Sequence, residues 1–321
     1  MELQFRKASR KAVPMLISIA SVSGGGKTYS ALLLAAGIAG PGGRVGFIDT
    51  ENGRGEMYTD SPGIKRALPN SYEYARFDPP FSPERYVEHI SAAERAGITV
   101  CVVDSQTHEW EGIGGCCEIA EKNPLGRMPN WSKAKMAHKR FMNYCLSTNM
   151  HLIFCLRARD KVKVFKKGDL IVTGAQLPGE SYPVAEKDTI LSLGLQPITE
   201  KGFVFEMLLS LQLDERTHHA YAIKAPEPLA PLFPGHKLLT KEDGERIRQW
   251  NDTGAALEDG EQLQKRAKAA AENGMEIYKA FFARLTPAER RAIGDAAHAE
   301  NKLAAERADA EVSDAAEPAL V

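Results

Sequence analysis

The run Ser21-Val-Ser-Gly-Gly-Gly-Lys-Thr28 constrains this chain more than any other feature. It sits between the short apolar stretch Met15–Ala20 and the Ala- and Leu-rich stretch Tyr29–Ala39. The first reads as a buried strand and the second as a helix, so the glycines occupy a strand-to-helix turn. Binding phosphate requires backbone N–H groups that converge on oxygen at a helix N-terminus, with one cation and one hydroxyl for a metal. Gly24, Gly25 and Gly26 supply the turn, and Ser23 and Tyr29 flank it in the set expected to contact nucleotide. Lys27 is placed to reach the β- and γ-phosphates of ATP, and the Thr28 hydroxyl to hold magnesium. The run departs from G-x-x-x-x-G-K-[ST] at its first position, where Ser21 is still small enough for the bend. The alternative is an ordinary glycine turn, which has no need of Lys-Thr in register.

A phosphate-binding loop also needs an acid at the end of a neighbouring apolar strand. Asp104, which closes the strand signal Ile98–Asp104 (ITVCVVD), is placed to hold magnesium through water, although a capping aspartate would look the same. Strand signals recur at Arg44–Asp49, near Tyr72–Phe77 and at His151–Leu156, alternating with helical stretches. Ser82-Pro83 opens a helix that runs to about Ala96, and Trp131–Asn149 has helical spacing of its apolar residues. Apolar strands alternating with helices predict an α/β fold with a mostly parallel sheet covered on both faces. Beyond Arg157 the pieces Lys161–Phe165, Leu170–Thr173, Gly202–Leu213 and Ala220–Lys224 look like hairpins, an antiparallel extension of that sheet. This gives a domain over residues 1–253, a linker of turn formers and acids over 254–261, a helical appendage over 262–309 and a disordered tail over 310–321. Two helices are expected in the appendage, Gln262–Leu285 and Pro287–Asp309, the second opened by the capping box Thr286-Pro-Ala-Glu289.

From Met15 to Trp250 the blocks SVSGGGKTYSALLLA, FIDTENGRG, CVVDSQTHEWEG and FCLRARDKV follow in order. In these blocks the chain resembles the RecA-like P-loop ATPases, in particular the phage and prophage AAA-type group that includes single-strand annealing recombinases. The resemblance implies a RecA-like core, ATP hydrolysis with magnesium, and action on single-stranded DNA in phage recombination or replication. It further implies a homo-oligomer with nucleotide at the subunit interface, in the host cytoplasm. Carried over onto this sequence, Glu51 in Ile48-Asp-Thr-Glu51 would orient and deprotonate the attacking water, though a lone glutamate also reads as a solvated loop acid. Arg157, after the strand His151–Leu156, takes the place of a polar γ-phosphate sensor. An arginine there could contact the phosphate directly, or form a surface ion pair. Phe5-Arg-Lys-Ala8 matches an F-x-x-A pattern that some relatives use to dock on a neighbour.

Arg157, Arg159, Lys161, Lys163, Lys166 and Lys167 place six cations within eleven residues. They could neutralise DNA phosphates, with Phe165 stacking on a base. A hairpin edge guarded by lysines fits the same run equally well. The net charge of −1 gives no global field for nucleic acid, so any contact must be local. This leaves a second reading open: a P-loop motor or switch that acts on a protein partner and binds no DNA. No apolar run approaches the roughly 20 residues a membrane span needs. The five cysteines lack C-x-x-C spacing and read as buried free thiols, with no metal site supported.

Overall fold

The computed structural model describes residues 11–252, apart from 123, 125, 173–180 and 236, and further along the chain residues 264, 267–283, 285, 290 and 293–315. These fall into two compact units, one of Pro14–Ile247 and a smaller one that takes residues 11–13 and the described residues from Arg248 onward. The F-x-x-A run, the 254–261 linker and the Thr286–Glu289 capping box lie outside the described residues or contribute no described side chain.

The larger unit is built on strands β1 (Leu16–Ser21), β2 (Val45–Asp49), β3 (Glu73–Arg76), β4 (Val100–Asp104) and β5 (His151–Phe165). To these it adds β6 (Thr189–Pro197), β7 (Leu209–Leu213) and β8 (Ala220–Lys224). Their order is β3-β2-β4-β5-β1-β7-β8, parallel except for β8, with β6 antiparallel to the outer half of β5. Strands β1, β2, β4 and β7 are buried at every position, as expected of strands covered on both faces.

The strands are linked through α1 (Lys27–Ala39), α2 (Pro62–Ala67), α3 (Pro83–Arg95), α4 (Thr107–Glu111), α5 (Cys116–Lys122) and α6 (Trp131–Ser147). Later come α7 (Phe203–Glu206) and α8 (Lys241–Asp252). Ser82 caps α3 through its hydroxyl, with proline at the first helical position, as its sequence predicts. The register aligns Ser21 with Arg157, Asp49 with Asp104, and Asp104 with Cys155. The carboxyl ends of four neighbouring strands therefore come level, the place where open α/β sheets bind ligands.

The structure corrects the hairpin expected at Gly202–Leu213. Phe203–Glu206 is a short helix, and β7 lies parallel to β1 inside the sheet. The Leu209–Leu213 run (LSLQL) is buried at every position, which suits an interior strand better than a half-wet hairpin arm. Leu170 makes only an isolated bridge, to Val184, and the partner of β5 is β6, which the sequence reading missed. The antiparallel extension holds for β6 and β8.

In the smaller unit, helical residues 267–271 end at Asn273-Gly274, where Gly274 has φ +99°, so the long first helix expected there is broken. Past this break run α9 (Met275–Ala283) and α10 (Asp295–Ala315). α10 continues past Asp309, so residues 310–315, expected to be disordered, are helical. Tyr278 is buried with Ala267, Ala271, Ile293 and Ala305, and its hydroxyl hydrogen-bonds His298 at 2.8 Å.

Candidate functional site

The glycine turn between β1 and α1 is held open by main-chain conformation. Gly24 and Gly26 both have φ +83°, a region L side chains rarely adopt, and Gly25 N donates to Val22 O at 3.2 Å. A Cβ on Gly25 would fall 2.0 Å from Ser21 Oγ. The serine at the motif's unusual first position has a structural use, because its buried hydroxyl donates to Leu213 O at 3.0 Å and fastens the loop to β7. Lys27 Nζ lies over the turn, donating to the carbonyls of Val22 (2.8 Å) and Ser21 (3.3 Å). Tyr29 turns its ring toward Tyr58, and its hydroxyl lies where a Cβ on Gly63 would be. That leaves its main chain as the part near the turn. His218, in the β7–β8 turn, stands over the loop: a Cβ on Gly26 would lie 3.3 Å from its Cγ. Sequence reading missed it, since no spacing links position 218 to position 26.

Thr28 Oγ1 donates to Asp104 Oδ2 at 2.5 Å, joining the start of α1 to the end of β4. Burial pushes the Asp104 carboxyl up to about 6, with Glu51 and Asp49 adding to the rise and Thr28 and Lys27 opposing it. This hydroxyl, carboxylate and ammonium around an open N–H turn fit a magnesium-bound triphosphate, which needs those donors and that space.

Glu51 stands at the end of β2 in a loop organised by Asp49. Asp49 Oδ1 accepts from Glu51 N at 2.5 Å, and Oδ2 accepts from Gly55 N at 2.8 Å and from the Tyr74 hydroxyl at 3.0 Å. Thr50 Oγ1 accepts from Ser105 N at 2.7 Å, which ties the Glu51 loop to the Asp104 strand end. The two residues expected to act on the reaction face each other. Arg157 donates from Nε to Glu51 Oε1 at 2.9 Å and from Nη2 to Oε2 at 2.5 Å. Burial raises the Glu51 carboxyl, but the Arg157 hydrogen bond and charge, with His108 and Arg54, more than reverse this and hold it below the usual range. His108 contacts Thr50 Oγ1 at 2.7 Å and stacks on Phe81, while Trp110 stacks on Trp131, so both half-buried rings are engaged in local packing.

The basic run lies along the outer half of β5. Arg159 approaches Glu111 at 3.9 Å, Lys166 pairs with Asp188 at 2.9 Å, and Lys167 N donates to Asp188 Oδ1 at 3.0 Å. Lys161 and Lys163 are exposed, with no salt-bridge partner among the described residues. The stacking role expected for Phe165 does not hold. It is 1% exposed and Lys163 Nζ covers its ring at 4.7 Å, at the end of β5 opposite Thr189.

The family can be read once this loop geometry is set beside known proteins. The AAA domain family matches residues 14–189, more than half of the chain. The chain belongs to that family. The AAA domain so defined contains Lys27, Thr28, Glu51, Asp104 and Arg157, and the whole basic run. Among solved structures, the chain is similar to a KaiC-like protein from the hyperthermophilic archaeon Pyrococcus horikoshii. That similarity has 13% identity and a TM-score of 0.35 over 69% of this chain and 89% of the other. No curated protein matches the chain. No described helix is long and apolar enough to cross a membrane.

Proposed function

We propose that this AAA-domain protein binds ATP with magnesium at the Ser21–Thr28 loop, hydrolyses it with Glu51 as base, and couples the reaction to single-stranded DNA. The observation that carries the proposal is the Thr28–Asp104 hydrogen bond at 2.5 Å beside Lys27. It holds a hydroxyl and a carboxylate from different elements in the arrangement that nucleotide-bound magnesium requires. Thr28, with Asp104 behind it, would hold the magnesium, which would offset charge on the phosphate oxygens. Lys27 leaves the Val22 and Ser21 carbonyls to reach the phosphates, and Glu51 orients the attacking water and takes its proton. Arg157 shares its guanidinium between Glu51 and the site of the γ-phosphate, so nucleotide and Glu51 compete for it.

DNA enters because β5 runs without a break from Arg157 to the cations on its outer half. Lys161 and Lys163, on one face of that ribbon, are the strongest phosphate contacts, with Arg159, Lys166 and Lys167 beside them. A homo-oligomer with nucleotide at the subunit interface and a role in phage recombination or replication are implied by the sequence resemblance alone. A second reading has its own observation. The opposite face of the ribbon exposes Val162, Val164 and Ile190 at 57%, 52% and 68%, an apolar strip suited to a protein partner.

ATP hydrolysis measured with and without single-stranded DNA, across a salt series, separates the two. Stimulation that fades as salt rises supports the DNA reading. Magnesium-dependent turnover that DNA leaves unchanged at low salt favours the partner-directed switch.

A further inference from the structure

Three side chains of different chemistry meet inside the larger unit, away from the glycine loop. Glu109 lies in the middle of α4, Cys116 opens α5 and His138 lies in α6. Glu109 and Cys116 are 0% exposed, and His138 is 6% exposed. Glu109 Oε1 accepts from Cys116 Sγ at 3.2 Å and faces His138 Nδ1 at 3.0 Å. Oε2 lies 3.1 Å from the same nitrogen and accepts from Gln106 Nε2 at 3.1 Å. The ligand-capable atoms of Glu109, Cys116 and His138 all lie within 4.8 Å of one another. Gln106 is itself fully buried, and its Oε1 has no hydrogen-bond partner. Burying a carboxylate, a thiol, an imidazole and an amide together is expensive compared with an apolar plug.

We propose that Glu109, Cys116 and His138 form a binding site for a divalent transition metal, with zinc the best match. Sulfur, nitrogen and carboxylate oxygen are the zinc donor set, whereas magnesium prefers oxygen alone, so the site is chemically distinct from Thr28 and Asp104. Zinc holds sulfur at about 2.3 Å and nitrogen or oxygen at about 2.0 Å in a tetrahedron, which sets donor separations near 3.3–3.5 Å. The present 3.0 and 3.2 Å separations need to open by only a few tenths of an ångström.

Charge also balances. Without metal, the thiol carries its proton and His138 Nδ1 faces the glutamate carboxylate. With zinc, the ion offsets glutamate and thiolate while the imidazole is neutral. One Zn²⁺ enters, the thiol proton leaves with any proton the imidazole carries, and the metal-bound site is neutral. The unpartnered Gln106 Oε1 offers an acceptor to a water that completes the tetrahedron, while its Nε2 holds the carboxylate from behind. The ion would tie the helix that follows Asp104 to α5 and α6.

Metal content of the full-length protein tests this. After loading with zinc and dialysis against zinc-free buffer, one zinc per chain is expected. Cobalt(II) added to metal-free protein should give a thiolate-to-metal charge-transfer band with intense tetrahedral bands in the visible. Cys116→Ser should abolish the charge-transfer band, His138→Gln should lose zinc, and Gln106→Ala should weaken it about tenfold. Cys117→Ser and Lys27→Ala should keep full zinc, and circular dichroism verifies that each variant is folded. A folded wild-type chain that retains no zinc and gives no cobalt band overturns the proposal. So does zinc retained by Cys116→Ser and lost by Cys117→Ser.

Discussion

Glu51 and Arg157 stand 106 residues apart in sequence and form a two-bond ion pair in space. Each was a candidate only through what the family resemblance implies, and the pairing was not legible at all, since it depends on β2 and β5 flanking β4 in the sheet. Lys27, Thr28 and Asp104 were easier to read because they sit in contiguous motifs whose spacing carries the geometry. Lys27→Ala should abolish ATP binding in a folded protein, measured by calorimetry. Glu51→Gln should bind ATP normally and turn over about 10²–10⁴-fold more slowly, since the amide keeps the shape and loses the base. The arginine also sets when the base is available. Arg157 holds the Glu51 carboxyl low, so Arg157→Ala should raise it. The acidic limb of the kcat/KM profile should then move to higher pH, because protonation of the base begins earlier as pH falls. An unmoved limb would mean that Glu51 is not the titrating base.

Among elements, those with one dominant period were legible, and those whose partner decides their form were not. β1, β2 and β4 follow from unbroken apolar runs, and α3 from its cap and proline. The Gly202–Leu213 stretch could be a hairpin or an inner strand until β1 is there to receive it, and β6 pairs with a part of β5 that reads as polar. The contact of α1 with α8 shows the same dependence. A Cβ on Gly37 would fall 2.0 Å from Lys241 O, and one on Gly244 would fall 2.3 Å from Leu34 O, so two helix-interior glycines allow the backbones to touch. Glycine mid-helix costs about 1 kcal/mol against alanine, and here the close approach requires it. Gly244→Val should therefore destabilise the protein by about 1–3 kcal/mol or more in denaturant unfolding, despite its better intrinsic fit to a helix than glycine. A stability gain would show that the helices separate freely.

For the molecule as a whole, the split at Ile247/Arg248 places the nucleotide loop and the basic ribbon in one unit and α9 and α10 in the other. A chain ended after Thr253 should keep its ATP affinity within about threefold, an error-sized change near 0.6 kcal/mol. Replacing Lys161 and Lys163 with alanine should leave ATP binding intact and reduce the log-affinity against log-salt slope for single-stranded DNA by about 0.7 per lost contact. Composition concealed this division, because a net charge of −1 averages an acidic C-terminal part with a slightly basic core.

β5 also has mechanical consequences. From Arg157 to Phe165 it is one strand, about 26 Å long at about 3.3 Å per residue, anchored at its base between β1 and β4 and irregular only between Asp160 and Val162. It is a lever whose short arm ends at the guanidinium and whose long arm carries the lysines. A tilt of about 5° at the base moves the tip by about 2 Å, more than half of one strand residue's rise.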